Sequence, residues 1–85
     1  MLNSESKIAV LGSGAWGTAL AQLICKKGEV LIWVKEKSVK LDINQNHLNK
    51  KYLPGIKLNK KILATNNLED LKSSEIIFLT IPVQY

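Results

Sequence analysis

The chain has 85 residues, a mass of 9.5 kDa and a formal net charge of +5, which suffices for one small domain. Hydrophobic residues make up 46% and charged residues 22%, a balance that is typical of a globular domain and excludes a disordered tail. The single cysteine, Cys25, excludes an internal disulfide framework and a cysteine-based zinc cluster.

The charge pattern and the hydropathy narrow the classes of partner. All 12 basic residues are lysines, whereas proteins that read nucleic-acid sequence rely on the bidentate contacts of arginine. No apolar run approaches the ~18–20 residues that a membrane helix needs. We therefore expect no nucleic-acid partner, no membrane span and no metal site. The lone cysteine fits a reducing compartment and favours a cytoplasmic location.

In chain order, the sequence predicts four strands that alternate with helical segments. The predicted strands are 7–11, 30–34, 62–65 and 75–81. The predicted helices are 14–27, 38–48 with Ser38 as its cap, and 67–73 with Asn66 or Asn67 as its cap. This alternation predicts an α/β fold with a doubly wound parallel sheet, right-handed crossovers and strand order 3-2-1-4.

The first predicted helix carries an apolar stripe at helical spacing, and Cys25 lies off that stripe. The stripe consists of Trp16, Ala19, Leu20, Leu23 and Ile24. Trp16 also lies next to the helix start, so its position suits a core residue and a ligand contact equally.

A glycine-rich turn, GSGAWG at 12–17, joins the first strand to the first helix. In this context the pattern G-x-G-x-x-G predicts a dinucleotide site. Gly12 allows a sharp turn out of the strand, Gly14 leaves room for a pyrophosphate, and Gly17 allows the helix to pack closely. The N–H groups at the helix start are suited to phosphate binding. The alternative is a tight turn without a ligand. The motif's other candidate binding residues are Ser13, Ala15 and Trp16.

Two charged residues, Lys35 and Glu36, follow the second predicted strand. An acidic side chain at this point binds the adenosine ribose of NAD, and a basic one accommodates the 2′-phosphate of NADP. Lys35 is thus a candidate phosphate or ribose contact, and Glu36 competes with it for the ribose hydroxyls. The pair could also be solvated loop charges, and the sequence leaves NAD and NADP both open.

Four segments together closely resemble the start of bacterial NAD(P)-dependent glycerol-3-phosphate dehydrogenase. They are KIAVLGSGAWGTALAQLICKKGEVLIW, KKYLPGIKL, ATNNLEDL and EIIFLTIPVQ. The resemblance implies an N-terminal Rossmann-type NAD(P)-binding domain, followed in the family by a helical substrate domain. It also implies reversible reduction of dihydroxyacetone phosphate to sn-glycerol 3-phosphate, which supplies phospholipid synthesis.

The resemblance assigns roles to individual positions. Ala15 and Trp16 fall where the family contacts the cofactor phosphates, and Lys35 falls beside the adenosine 2′ position. Tyr52 lies in the YLPG segment near the cofactor. The loop after the fourth strand, which lines the approach to the nicotinamide, contributes Pro82 and Val83, followed by Gln84.

The family's substrate-contacting lysine, its later strands and its substrate domain have no counterpart in residues 1–85. We therefore expect an incomplete NAD(P)-binding domain that holds no catalytic residue and is inactive by itself. His47, the only histidine, is expected to be structural. The fourth strand should form an uncovered edge and promote self-association. Alternatives are a free-standing dinucleotide-binding or regulatory module, or a piece of a 6-phosphogluconate or hydroxyacid type of dehydrogenase.

Overall fold

The computed structural model describes residues 8–12 and 14–80. Within these ranges, four parallel strands form one sheet in the order β3-β2-β1-β4. The strands are β1 (Ile8–Leu11), β2 (Val30–Trp33), β3 (Ile62–Thr65) and β4 (Ile76–Leu79). The predicted α/β class, the parallel pairing and the strand order are confirmed.

The connections between the strands are helical, but they are shorter or less regular than predicted. Helix α1 covers Ala15–Ile24 and ends in a 3₁₀ turn, Cys25–Lys27. Helix α2 covers Lys37–Leu41 and widens into a π turn, Asp42–Asn46. A 3₁₀ turn, Leu68–Leu71, precedes β4, and the Asn67 side chain caps it by accepting the N–H of Glu69 at 3.0 Å. Asn67, rather than Asn66, is therefore the cap.

One face of the sheet carries most of the hydrophobic core. Val10, Ile32 and Ala64 lie side by side on β1, β2 and β3, and all three are buried. Val39 of α2 and Ile43 of the π turn belong to the same cluster. The βαβ units therefore place α1 and α2 over this face, as two right-handed crossovers in one direction require.

Helix α1 contacts the sheet through small residues, and only part of the predicted apolar stripe is confirmed, since Leu20 and Ile24 pack against the core cluster. Its buried residues are Gly17, Thr18 and Ala21, whereas Trp16 is 84% exposed and Leu23 is 66% exposed. Close approach of the helix to the strand needs small side chains at the contact, so the large apolar ones lie beside it or point away.

Cys25 was expected to lie off the packing face of the first helix, and this was wrong. The side chain is buried in the core cluster, and its thiol donates to the carbonyl of Gln22 at 3.1 Å. Cys25 continues the small-residue face that contacts the sheet, so it acts as a small hydrophobic residue.

Helix α2 begins one residue earlier than predicted, with Glu36 rather than Ser38 at the N-cap. The Glu36 carbonyl accepts the N–H of Lys40 at 3.2 Å. Farther along, the π turn carries Asn44, whose side chain donates to the Ala64 carbonyl at 2.9 Å and accepts its N–H at 2.8 Å. Asn44 therefore occupies the outer edge of β3 as a neighbouring strand would.

Candidate functional site

The carboxyl ends of the strands bring the predicted site together. The N–H of Gly12 donates to the Trp33 carbonyl at 3.2 Å, and the N–H of Val34 donates to the Thr65 carbonyl at 2.9 Å. On the other side, the N–H of Thr80 donates to the Leu11 carbonyl at 3.1 Å. The strand order reverses at β1, and in open α/β sheets ligands bind at such a reversal.

Gly12 and Gly17 are required by the local packing. Gly12 has φ +130°, and a Cβ there would come within 2.5 Å of the Thr80 hydroxyl. A Cβ on Gly17 would overlap the Gly12 carbonyl oxygen. Both positions therefore need glycine whether or not a ligand binds, and the expected close packing of Gly17 is confirmed.

Gly14 differs from both, because a Cβ there would meet no atom of the described chain within 4 Å. It is the N-cap of α1, and its carbonyl accepts the first helical hydrogen bond, from the N–H of Thr18 at 3.0 Å. The N–H groups before Thr18 thus have no partner within the helix, and no acidic residue occupies the first turn. The open space and the free donors fit a pyrophosphate.

The residues beside Gly14 are accessible. Ala15 is exposed, and the large exposure of Trp16 shows that its ring is not a core residue. Both can contact a ligand that lies over the helix start. Three other predicted site residues, Ser13, Pro82 and Val83, lie outside the described part of the chain.

An asparagine fixes the backbone where β2 ends. The Asn66 side chain donates to the carbonyls of Val34 and Glu36, at 2.8 and 3.4 Å. The Asn66 carbonyl accepts the indole N–H of Trp33 at 3.0 Å. Lys35, between these anchored residues, is exposed, so the backbone is fixed on both sides of it while the side chain is accessible to solvent.

Glu36 lies at the centre of a polar cluster with Lys51 and Tyr52, here called the Glu36 cluster. Its Oε2 atom accepts from Lys51 Nζ at 2.6 Å and from the Tyr52 hydroxyl at 2.6 Å. The hydrogen bond from Lys51, followed by the one from Tyr52, lowers the pKa of Glu36. The hydrogen bond to Glu36 raises the pKa of Lys51 and that of Tyr52. Each shift favours the form that is present at neutral pH.

The loop that carries Lys51 and Tyr52 is attached to α1 through Asn49. Asn49 is buried, and its amide donates to the Thr18 hydroxyl at 2.8 Å. Its side-chain oxygen accepts the N–H of Tyr52 at 3.2 Å, and its carbonyl accepts the N–H of Leu53 at 2.8 Å. The helix that begins with the glycine turn therefore also positions Tyr52.

The sequence analysis missed Asn49, Lys51 and Asn66 as residues that shape the site. The role of Asn66 could have been predicted, because it directly follows β3, and the carboxyl ends of parallel strands β2 and β3 lie next to each other. Asn49 and Lys51 had none, since their partners Thr18 and Glu36 are distant in the sequence.

His47 ends the π turn at φ 59° and is half-buried. Among the described residues, no group of His, Cys, Asp and Glu is arranged to hold a metal ion. Within the same residues, no helix has the length and apolar character needed to cross a membrane.

Comparison with known proteins gives a consistent result along nearly the whole chain. The profile of the family described as NAD-dependent glycerol-3-phosphate dehydrogenase N-terminus matches residues 7–85. The glycerol-3-phosphate dehydrogenase [NAD(P)+] of Erythrobacter litoralis is 44% identical over 81 residues, which cover 94% of this chain and 24% of that protein. The corresponding enzyme of Neorickettsia sennetsu is 45% identical over 76 residues, or 88% of this chain and 23% of that protein.

Solved structures agree with the sequence matches. The glycerol-3-phosphate dehydrogenase of Saccharomyces cerevisiae superposes with a TM-score of 0.81 and 35% identity, over 93% of this chain and 27% of that one. The enzyme of Coxiella burnetii gives a TM-score of 0.75 and 32% identity, over 85% and 23%. The chain thus spans about a quarter of the length of these relatives.

Proposed function

Because the chain belongs to the family of NAD-dependent glycerol-3-phosphate dehydrogenase N-terminal domains, we propose that it forms the cofactor-binding part of such an enzyme. The reaction proposed for the whole enzyme is the reversible reduction of dihydroxyacetone phosphate to sn-glycerol 3-phosphate by NAD(P)H, which supplies phospholipid synthesis. The open space at Gly14, between two glycines that packing requires, carries the proposal.

The proposed binding mode follows from the arrangement of residues at the carboxyl ends of the strands. The pyrophosphate lies over Gly14, Ala15 and Trp16, where helix N–H groups and the helix dipole favour negative charge. The adenosine half extends towards the end of β2, where Lys35 and the Glu36 cluster lie. We place the nicotinamide half on the other side of the glycine turn, next to Pro82 and Val83, on the ground of the family resemblance.

We propose that the 85-residue chain, prepared by itself, binds cofactor without turning over substrate. Hydride transfer needs the ketone held next to the nicotinamide and its developing negative charge stabilised. Of the described residues, those at the proposed site are suited to binding a dinucleotide, and none is a candidate for stabilising that charge. A cytoplasmic location is also part of the proposal and rests on the use of a single cysteine, Cys25, which is buried.

The experiment that tests the proposal is the substitution Gly14→Val. The added side chain would fill the space proposed for the pyrophosphate, and it would meet no atom of the described chain within 4 Å at its Cβ. Binding of NAD+ and NADP+, measured by titration calorimetry, should be lost, while far-UV circular dichroism stays unchanged.

The control is Ser73→Val, which places the same valine side chain at an exposed position before β4, at the amino-terminal end of the strands. It should leave binding unchanged. Full binding by a folded Gly14→Val variant would contradict the proposed function.

A further inference from the structure

The acidic residue at the end of β2 is already bound to two side chains of its own chain. In dinucleotide sites an acidic side chain at this point accepts the ribose hydroxyls of NAD. Here Glu36 Oε2 accepts from both Lys51 and Tyr52. A ribose that approached this carboxylate would have to compete with a cation and a phenol that hold it in place.

One of the two donors, Tyr52, is held in place by its own loop. The backbone of Tyr52 is bonded to the buried side chain of Asn49, which is bonded in turn to Thr18 of α1. Tyr52 is half-buried and packs against the core cluster. Its hydroxyl is therefore a fixed donor, and holding Glu36 costs little further side-chain entropy.

The charges around the cluster favour an anion. Lys51 neutralises Glu36 at 2.6 Å. Lys35 and Lys37, which flank Glu36, are both exposed, and the structure gives neither of them an acidic partner within the described residues. The end of β2 thus carries uncompensated positive charge next to the place proposed for the adenosine ribose.

We infer that Tyr52 and Lys51 are positioning residues that set the cofactor preference. By holding the Glu36 carboxylate away from the ribose, they leave Lys35 to receive a 2′-phosphate, so that the site prefers 2′-phosphorylated adenosine. The inference rests on the proposed function, since it concerns the adenosine half of the same site.

Tyr52→Phe is the informative change, because it removes only the hydroxyl and keeps the ring in the core. A carboxylate released from one of its two donors can turn towards the ribose, accept its hydroxyls and repel a 2′-phosphate. We expect the ratio of NADP+ to NAD+ affinity to fall by about three- to tenfold, the effect of one partly exposed charged hydrogen bond.

A double-mutant cycle separates this role from a structural one. In a Glu36→Gln background no carboxylate can be released, so Tyr52→Phe should leave the affinity ratio unchanged.

Lys51→Met should lower the ratio as Tyr52→Phe does. Lys50→Met is the matched control, since it removes the same charge one residue earlier from a side chain that is not bonded to Glu36, and the ratio should not change.

The experiment measures the binding of four ligands to the 85-residue chain by equilibrium dialysis: NADP+, NAD+, adenosine 2′,5′-bisphosphate and adenosine 5′-monophosphate. The last two probe the adenosine half alone. The expected result is a preference of the unchanged chain for the 2′-phosphorylated member of each pair, and its reduction by Tyr52→Phe only when Glu36 is present.

Three results would overturn the inference while the proposed function stands: a preference for NAD+ in the unchanged chain, an unaltered ratio in Tyr52→Phe, or a loss of NAD+ binding in that variant. The third would mean that the Glu36 cluster presents the carboxylate to the ribose. Binding of none of the four ligands to the unchanged chain would contradict the proposed function, and the inference with it.

Discussion

At the scale of single residues, Lys35 and Glu36 are neighbours in the segment that follows β2, but their surroundings differ. Glu36 accepts two side-chain hydrogen bonds, and its pKa is lowered chiefly by the one from Lys51. Lys35 is exposed, although Asn66 holds the backbone on both sides of it. The charge available to a ligand at the end of β2 is therefore that of the lysine.

Lys35→Ala should weaken the binding of NADPH more than that of NADH. A charge-assisted contact to a 2′-phosphate contributes roughly 1.5–3 kcal/mol, and an exposed group lies at or below the lower end of that range. NADPH binding should weaken by about tenfold, and NADH binding should change little. Titration calorimetry with both cofactors checks this, and Lys60→Ala, an exposed lysine before β3, is the control. Equal losses for the two cofactors would show that Lys35 does not contact the 2′ position.

Residues whose role depends on the local backbone could be predicted from the sequence. A Cβ at Gly12 would collide with Thr80, and a Cβ at Gly17 would collide with Gly12. The G-x-G-x-x-G spacing predicts that both positions need glycine. Asn49 could not be predicted, because its buried partner Thr18 lies 31 residues away. For Trp16 the spacing left a core role and a ligand contact both open, and only the structure shows that it is exposed whereas Leu20 and Ile24 of the same stripe pack against the core cluster.

At the scale of secondary-structure elements, the two edges of the sheet are protected differently. The outer edge of β3 is bonded to the Asn44 side chain. All four residues of β4 are exposed, from 38% at Phe78 to 66% at Leu79. The sequence predicted the uncovered strand, because the helical segment that crosses over it is short. It did not predict Asn44, whose bonds to β3 depend on the π turn.

We propose that β4 is a self-association edge of the 85-residue chain, because an exposed apolar edge strand favours pairing with another chain. Analytical ultracentrifugation should show association that increases with concentration. Phe78→Lys should reduce it, since an edge lysine opposes strand pairing. Leu68→Lys is the control, because it places the same charge at an exposed apolar residue outside the strand. A monomer at high concentration would refute this proposal.

At the scale of the whole molecule, two carboxylates attach the segment after α2 to the rest of the domain. Glu36 binds Lys51 and Tyr52. Asp42 accepts the N–H of Lys50 and the Asn46 side chain, both at 2.9 Å. The backbone hydrogen bond from Lys50, followed by that from Asn46, lowers the pKa of Asp42. The folded state therefore holds both groups in the charged form more strongly than the unfolded chain does.

The domain should lose stability in acid. A carboxyl group whose pKa is lowered by folding stabilises the protein above its unfolded pKa, and this contribution disappears as the pH falls through the folded value. The ordinary values are 4.5 for Glu36 and 3.8 for Asp42, so the urea midpoint should fall progressively below about pH 4.5. Asp42→Asn should flatten this dependence, whereas Glu29→Gln, at an exposed position before β2, should not. Because 7 carboxylates oppose 12 lysines, repulsion adds to the loss, and a midpoint independent of pH would contradict both contributions.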